Sequence, residues 1–111
     1  MATGTITNVI PTSGNNTYGS YVKFPDGVML CWGSATNTST GSLTVTFPIE
    51  FNVAPTIFAT ARYVSGAINF YPVTQNNAKA TFALYFRDAY SNAAYTNTSA
   101  KCFWLAIGRW K

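Results

Sequence analysis

The stretch that decides the fold is residues 21–33, YVKFPDGVMLCWG, which has the pattern of a β-hairpin. Two apolar runs, YVKF and VMLCWG, lie on either side of the Pro25-Asp26-Gly27 triplet. An Asp-Gly pair between two such runs is a strong hairpin signal, because glycine adopts the positive φ that a tight turn requires. We therefore predict two antiparallel strands joined at this turn.

Short apolar runs separated by turn residues continue from this hairpin to the end of the sequence. None of them has helical spacing with a cap. The strand-like runs after the hairpin are 43–47, 56–63, 68–74, 79–87 and 101–109. Frequent short strands with turn signals predict an all-β fold, an antiparallel β-sandwich of six or seven strands.

The pattern before the hairpin is different. Residues 1–17 are small and polar, contain Pro11 and Gly14, and show no sustained period. We predict that 1–17 is a linker or the end of a longer upstream segment, and that 18–111 is a single domain. A chain of 111 residues is near the commonest domain size, which agrees with one domain.

The composition is poor in charge and in catalytic side chains. Charged residues make up 9% of the sequence, compared with about 25% in an ordinary soluble protein. There is no histidine, and the only carboxylates are Asp26, Glu50 and Asp88. This excludes histidine-based triads and histidine metal sites, so we predict no catalytic residues, no metal and no cofactor. The seven basic residues are scattered, which argues against nucleic acid as a partner.

The two cysteines, Cys31 and Cys102, both lie in apolar stretches. Two are too few for a disulfide framework or a zinc site, so we expect buried free thiols rather than a bridge. The first residues lack the basic and apolar regions of a signal peptide. No stretch reaches the roughly 20 apolar residues of a membrane helix, so we expect no membrane insertion.

The polar segment 88–100 holds the main candidate ligand-binding residues. Loops longer than about 12 residues tend to be functional or disordered. Tyrosine and asparagine supply rigid amphipathic area and adaptable hydrogen bonds, which suit the apolar faces and hydroxyl rims of sugars. The alternative is an ordinary solvated loop. The candidates in and beside this segment are Arg87, Asp88, Tyr90, Asn92, Tyr95 and Asn97.

A smaller candidate surface combines a cation with aromatic rings, from Arg62, Tyr63 and Tyr71. Two tryptophans in strand-like runs, Trp32 and Trp104, have two interpretations. We expect both to pack between two sheets, because tryptophan contributes a large apolar area to a core. The alternative for each is a stacking platform for a sugar ring.

Three segments taken together resemble the C-terminal domain of bacteriophage and prophage tail fibres. They are the hairpin 21–33, the segment VTFPIEF at 45–51 followed by Ala54-Pro55, and FWLAIG at 103–108. The second and third are also similar to H-type lectins, which share a phenylalanine-proline strand and a final aromatic-x-Ala-x-Gly strand. The sequence departs from the fibre pattern at Cys31, where a polar residue is usual, and in its last three residues, RWK.

The resemblance implies an H-type-lectin-like β-sandwich that assembles as a homotrimer at the tip of a fibre, downstream of a fibre shaft. It also implies a non-enzymatic domain that recognises bacterial surface polysaccharide or lipopolysaccharide. The protein would then belong to the virion, assembled in the host cytoplasm and acting outside the cell. The low charge agrees with burial of surface between subunits, because an apolar monomer with few charges is prone to associate.

Three other functions remain open at this stage. The domain could be a structural cap that trimerises the shaft, or a stand-alone H-type-like lectin outside any phage. A depolymerase or glycosidase usually needs two carboxylates about 5–10 Å apart. Only Asp26, Glu50 and Asp88 are available for that role, and Asp26 already has a role in the predicted turn.

Overall fold

The computed structural model describes residues 10–111, which form eight β-strands in two antiparallel sheets. The strands are β1 (Thr12–Asn16), β2 (Gly19–Lys23), β3 (Val28–Thr36), β4 (Ser42–Thr46), β5 (Thr56–Arg62), β6 (Phe70–Gln75), β7 (Thr81–Asp88) and β8 (Lys101–Arg109). One sheet has the order β1-β2-β3-β8-β5, and the other has the order β4-β7-β6. The predicted all-β antiparallel sandwich is confirmed. Among the described residues, no helix has the length and apolar character to cross a membrane.

The predicted hairpin is β2 and β3, with Tyr21 opposite Cys31 and Lys23 opposite Met29. Gly27 has φ 107°, as the Asp-Gly signal requires. Its backbone N–H donates to the Phe24 carbonyl at 3.0 Å, and the Asp26 side chain accepts a bond from the Val28 N–H at 3.1 Å. Asp26 is therefore a turn residue, as the sequence indicates.

The structure has eight strands where the sequence predicted six or seven, and the additional strand is β1. It pairs along its whole length with β2, from Thr12 opposite Lys23 to Asn16 opposite Gly19. Its sequence, TSGNN, is mostly exposed at the edge of the sheet. An edge strand without an apolar face has no alternation for sequence analysis to detect. The division at residue 17 stays a prediction, and residues 1–9 lie outside the described part of the chain.

Side chains on the facing sides of the two sheets form one core rich in aromatic rings. The ring of Phe47 lies 5.0 Å from Phe51 and 5.6 Å from Phe82, and Phe82 lies 5.6 Å from Trp104. Leu84, also from β7, is fully buried beside them. Aromatic pairs at these separations add to the stability that area burial gives.

The two tryptophans of adjacent central strands lie on opposite faces of the five-stranded sheet. Trp104 is 2% exposed and packs in the core, as predicted. A β-carbon at Gly33, directly opposite on β3, would lie 2.9 Å from its ring, so glycine makes room for the indole. Trp32 is 43% exposed, so the expectation that it packs between the sheets is wrong. Because Cys31 points inward, the next residue of the strand must point outward.

The two cysteines are free and buried, which confirms the prediction for Cys31 and Cys102. Cys31 lies opposite Ala106 on β8, four positions along that strand from Cys102. This separates them by about 13 Å at the strand rise of about 3.3 Å per residue, too far for a disulfide. Burial raises the pKa of each thiol to about 12, so neither is a reactive thiolate near neutral pH.

Strand directions place the connections at two opposite ends of the sandwich. The loop end, as we call it, comprises connections 37–41, 63–69 and 89–100. The base comprises the β2–β3 turn 24–27, the connection 47–55 and the turn 76–80. The described chain starts towards the base, because Thr12 of β1 lies opposite Lys23 just before the β2–β3 turn.

Candidate functional site

Two of the three connections of the loop end are joined by a buried asparagine. The Asn37 side-chain amide donates to the Tyr95 carbonyl at 2.6 Å and to the Asn97 carbonyl at 3.0 Å. Its oxygen accepts a bond from the Thr38 N–H at 2.8 Å. Asn37 is only 5% exposed, so all these groups pair inside the protein, as buried polar groups require. Asn37 thus holds the long connection 89–100 against the β3–β4 connection.

Further hydrogen bonds fix the long connection to its other neighbour. The Asn97 side-chain amide donates to the Gly66 carbonyl at 2.9 Å, and the Ala89 N–H donates to the Asn69 carbonyl at 3.0 Å. The backbone and the asparagines of this segment therefore hold it to both adjacent connections, while most of its residues are exposed. The choice between a binding loop and an ordinary solvated loop stays a prediction.

Asp88 shapes the start of this connection. Its carboxylate accepts bonds from the backbone N–H of Tyr90 at 2.8 Å and of Ser91 at 3.1 Å. These bonds to the charged form lower the pKa of Asp88 below its ordinary value. The Asn92 N–H donates to the Asp88 carbonyl at 2.9 Å, and Asn92 has φ 61°, a conformation that asparagine tolerates better than most residues.

The turn that Asp88 forms presents Tyr90, which is 83% exposed. Beside it, the Tyr71 hydroxyl donates to the Asn92 side-chain oxygen at 2.8 Å. Tyr71 lies opposite Arg87 in the β6–β7 pair, and the Arg87 guanidinium stands 5.7 Å from the Tyr85 ring centre. These side chains make a continuous polar-aromatic surface from the outer side of the three-stranded sheet to the loop end.

Two of the predicted ligand residues are placed inside the framework of the loop end. The Tyr95 ring is half-buried and stacks on Phe70, with ring centres 5.1 Å apart. The Asn97 side-chain oxygen accepts a bond from the Ser99 N–H at 2.9 Å, while its amide holds Gly66. Both side chains therefore support the loop from within, and a ligand role for either stays a prediction.

The smaller predicted surface is divided between the two sheets. Arg62 lies on the outer face of the five-stranded sheet, 5.5 Å from the Phe103 ring centre. Tyr63 follows at the loop end and is 73% exposed. Tyr71 belongs to the other sheet, so the three residues do not share one sheet face. The surface predicted from Arg62, Tyr63 and Tyr71 stays a prediction. Strand β6 follows β5 in the chain but joins the opposite layer.

Two of the three carboxylates of the chain lie away from the loop end. Asp26 lies in a turn of the base and Glu50 lies in the β4–β5 connection there, so Asp88 is the only carboxylate of the loop end. A pair of carboxylates of the glycosidase type is absent from this end. Residues 10–111 contain no group of three metal-ligating side chains.

Neither the role of Asn37 nor the bond between Tyr71 and Asn92 was predicted from the sequence. Asn37 stands in a stretch of small polar residues, and no local signal separates a buried asparagine from its solvated neighbours there. Its partners are 58 and 60 positions away in the chain, so only the tertiary fold brings them together.

The long aromatic-rich hairpin, the two-sheet core and the terminal β8 strand agree with a comparison against known families. The sequence profile of the family described as tail fiber protein gp53-like, C-terminal, matches residues 23–109. The chain belongs to this family. The resemblance noted from its three sequence segments is therefore confirmed. Tail fibres are components of phages and phage-like particles, so this tail fibre domain is associated with such a particle.

Solved pyocin fibres share the fold of this tail fibre domain. An N-truncated R1-type pyocin tail fibre matches with a TM-score of 0.69 at 20% identity, over 97% of this chain and 96% of that chain. The P. aeruginosa R2 pyocin fibre matches with a TM-score of 0.68 at 19% identity, over 91% of this chain and 26% of that chain. The tail fibre domain thus spans about a quarter of the R2 chain that it matches. No curated protein sequence matches it.

Proposed function

We propose that this tail fibre domain is the receptor-binding tip of its fibre, and that it binds a bacterial surface polysaccharide or lipopolysaccharide without catalysis. The observation that carries the proposal is the position of exposed tyrosines at the loop end. This end is opposite the base, where the described chain enters β1. A fibre shaft that joins at the base would leave the loop end free to meet a cell surface.

The side chains of the loop end suit a glycan. Tyr90 and Tyr63 offer rings for the apolar faces of sugars. Arg87, Asn92 and the Tyr71 hydroxyl supply donors and acceptors for the hydroxyl rims. The framework that Asn37 holds together limits the ordering cost on binding, because the backbone around these side chains is already hydrogen-bonded.

The proposal includes assembly as a homotrimer and attachment to an upstream shaft, with assembly in the host cytoplasm. Each subunit would bind weakly, and three tips on one fibre would raise the effective affinity through avidity. The low fraction of charged residues supports association, because a surface with few charges provides little repulsion between separate chains.

Adsorption to cells tests the proposed function. The labelled domain is incubated with a panel of bacterial strains, and then with purified surface polysaccharide from a strain that it binds. We expect the Y63A/Y90A double variant to bind at least about tenfold more weakly, because truncation of an aromatic hot spot commonly costs more than about 1 kcal/mol. Tyr18→Ala is the matched control, since Tyr18 is an exposed tyrosine in the β1–β2 turn, outside the three connections.

Three outcomes would contradict parts of the proposal. If Y63A/Y90A binds as well as the wild type, the loop end is not the receptor site. If the domain releases reducing ends from the polysaccharide, it is an enzyme. If the wild type binds none of the strains, the alternative role as a structural trimerisation cap gains support, which the apolar outer sheet face described below also favours.

A further inference from the structure

The outer face of the five-stranded sheet is apolar, although no other part of the described chain covers it. Five large hydrophobic side chains lie on this face with exposed fractions of 39–58%. They are Trp32, Phe58, Phe103, Leu105 and Ile107. Monomeric proteins rarely expose continuous apolar patches of more than a few hundred Å², and larger patches usually mark an interaction surface.

The register shows that these side chains adjoin one another. Trp32, Leu105 and Phe58 are directly opposite in one row across β3, β8 and β5. Ile107 lies opposite Leu30 in the next row towards the base. Phe103 lies opposite Ser34 in the next row towards the loop end. Directly opposite residues have Cβ atoms about 4.5–5.5 Å apart, and diagonal neighbours in adjacent rows are about 7–8 Å apart, within reach of large side chains. The three rows therefore form one patch.

Strand β8 carries an apolar series on each of its faces. Its inner face presents Cys102, Trp104 and Ala106 to the core, and its outer face presents the more bulky series of Phe103, Leu105 and Ile107. In an antiparallel sheet with one side in water, the outward residues are normally polar. The sequence of β8 is therefore that of a strand buried on both faces.

Charges on this face stand only at its two ends. The outward positions of β8 beyond the patch are Lys101 towards the loop end and Arg109 at the base, and Arg62 stands opposite Lys101 on β5. All three are cations, so like charges would repel if they lay at the centre of a contact between identical chains. A neutral apolar centre with a charged rim is the arrangement found in stable protein interfaces.

The size of the face fits a subunit contact. Five strands spaced about 4.8 Å apart, with a central pair about 30 Å long, give a projected area of roughly 700 Å². This is close to the roughly 800 Å² that one partner buries in a standard interface, and in a trimer the face would be divided between two neighbours. The centre of the patch lacks the donors and acceptors that sugar hydroxyls need, so a glycan is a poor occupant.

We propose that this outer face is the surface through which three copies of the chain associate, with Phe58 and Leu105 at its centre. The inference rests on the homotrimer of the proposed function and adds the contact surface. In a closed threefold ring all copies are equivalent, so each presents this neutral face, and different parts of it contact the two neighbours. The face is parallel to the strands, so association through it leaves the three loop ends pointing in one direction, away from the bases.

Native mass by light scattering tests this inference on the wild type and on a Phe58→Ser/Leu105→Ser variant. We expect the wild type to have the mass of three 12.1 kDa chains and the variant to have the mass of one. Val53→Ser is the matched control, because Val53 is a hydrophobic residue about as exposed as Phe58 and lies in connection 47–55 of the base. It should keep the trimer. Circular dichroism checks that each variant retains its β-structure.

A second measurement needs no variant and so does not depend on variant folding. Hydroxyl-radical footprinting of the wild type compares oxidation rates after each is divided by the intrinsic reactivity of the residue type and by its exposed fraction in the single chain. On this scale Phe58, Leu105 and Ile107 should be protected several-fold relative to Tyr18. A trimer in which these three residues are oxidised as readily as Tyr18 would overturn the inference and leave the proposed trimer intact. A wild type with the mass of one chain would overturn both. A trimeric double variant would also overturn the choice of face.

Discussion

At the residue scale, the polar side chains of the loop end divide into those that build the loop and those that face solvent. Asp88, Asn97 and Asn37 use their side-chain atoms on backbone groups of the protein. Tyr90 and Tyr63 are the exposed members. This division decides which substitutions should affect receptor binding directly and which should affect the shape of the loop.

The carboxylate of Asp88 gives a prediction about pH. Bonds from the Tyr90 and Ser91 N–H groups lower the folded-state pKa of Asp88 below its ordinary value of 3.8. Its contribution to stability is therefore present above the ordinary pKa and is lost as the pH falls through the folded-state pKa. We expect carboxyl-carbon NMR to give a titration midpoint below 3.8 for Asp88.

The Asp88→Asn variant assigns the Asp88 signal by its disappearance. It should also remove the pH dependence of the backbone amide shifts of 90–91 in this range, because the amide does not titrate. A titration midpoint at or above 3.8 would show that the two N–H bonds do not hold the charged form.

Residue roles could be predicted from sequence where the signal was local. Asp26 and Gly27 formed the expected turn because the Asp-Gly pair and its flanking runs are adjacent in the chain. The inward position of Trp104 was also correctly predicted, whereas Trp32 was not. Strand alternation fixes which residues share a face, but the packing of the second sheet decides which face is inside.

At the scale of elements, the long connection 89–100 depends on a residue of another connection. Asn37 is paired with two carbonyls of this segment, and its oxygen holds the Thr38 N–H. We expect Asn37→Ala to lower the free energy of unfolding by about 2–3 kcal/mol, because buried polar groups lose their partners. Chemical denaturation followed by tryptophan fluorescence measures this change.

The matched control for this experiment is Asn77→Ala, at an exposed position in the β6–β7 turn of the base. It should change the free energy of unfolding by less than about 0.5 kcal/mol, as surface substitutions usually do. Equal denaturation midpoints for Asn37→Ala and the wild type would mean that Asn37 does not hold the loop end together.

The strands that sequence analysis found were those with an apolar series, and β1 was missed because it has none. The candidate segment 88–100 was found from its length and its tyrosines. Its internal hydrogen bonds could not be predicted, since Asn37 and Tyr71 reach it from distant parts of the chain. The apolar outer series of β8 was visible in the sequence, but its exposure needed the position of the second sheet.

At the scale of the whole molecule, two exposed surfaces point in different directions. The loop end carries the proposed receptor site, and the outer sheet face carries the proposed contact between copies. The described chain enters β1 at the base, so the proposed upstream shaft would join there. The exposed aromatic residues of the loop end are proposed to bind the receptor, and those of the outer sheet face are proposed to hold the copies together. Y63A/Y90A should therefore weaken receptor binding, and Phe58→Ser/Leu105→Ser should weaken assembly.

Hydrogen–deuterium exchange of the wild-type domain, with and without surface polysaccharide from a strain that it binds, tests the location of the receptor site. We expect slower exchange of backbone amides in 63–69 and 89–93 when the polysaccharide is present, and unchanged exchange in the base segments 24–27 and 47–55. Protection confined to the base, or to the outer face of the five-stranded sheet, would contradict a receptor site at the loop end.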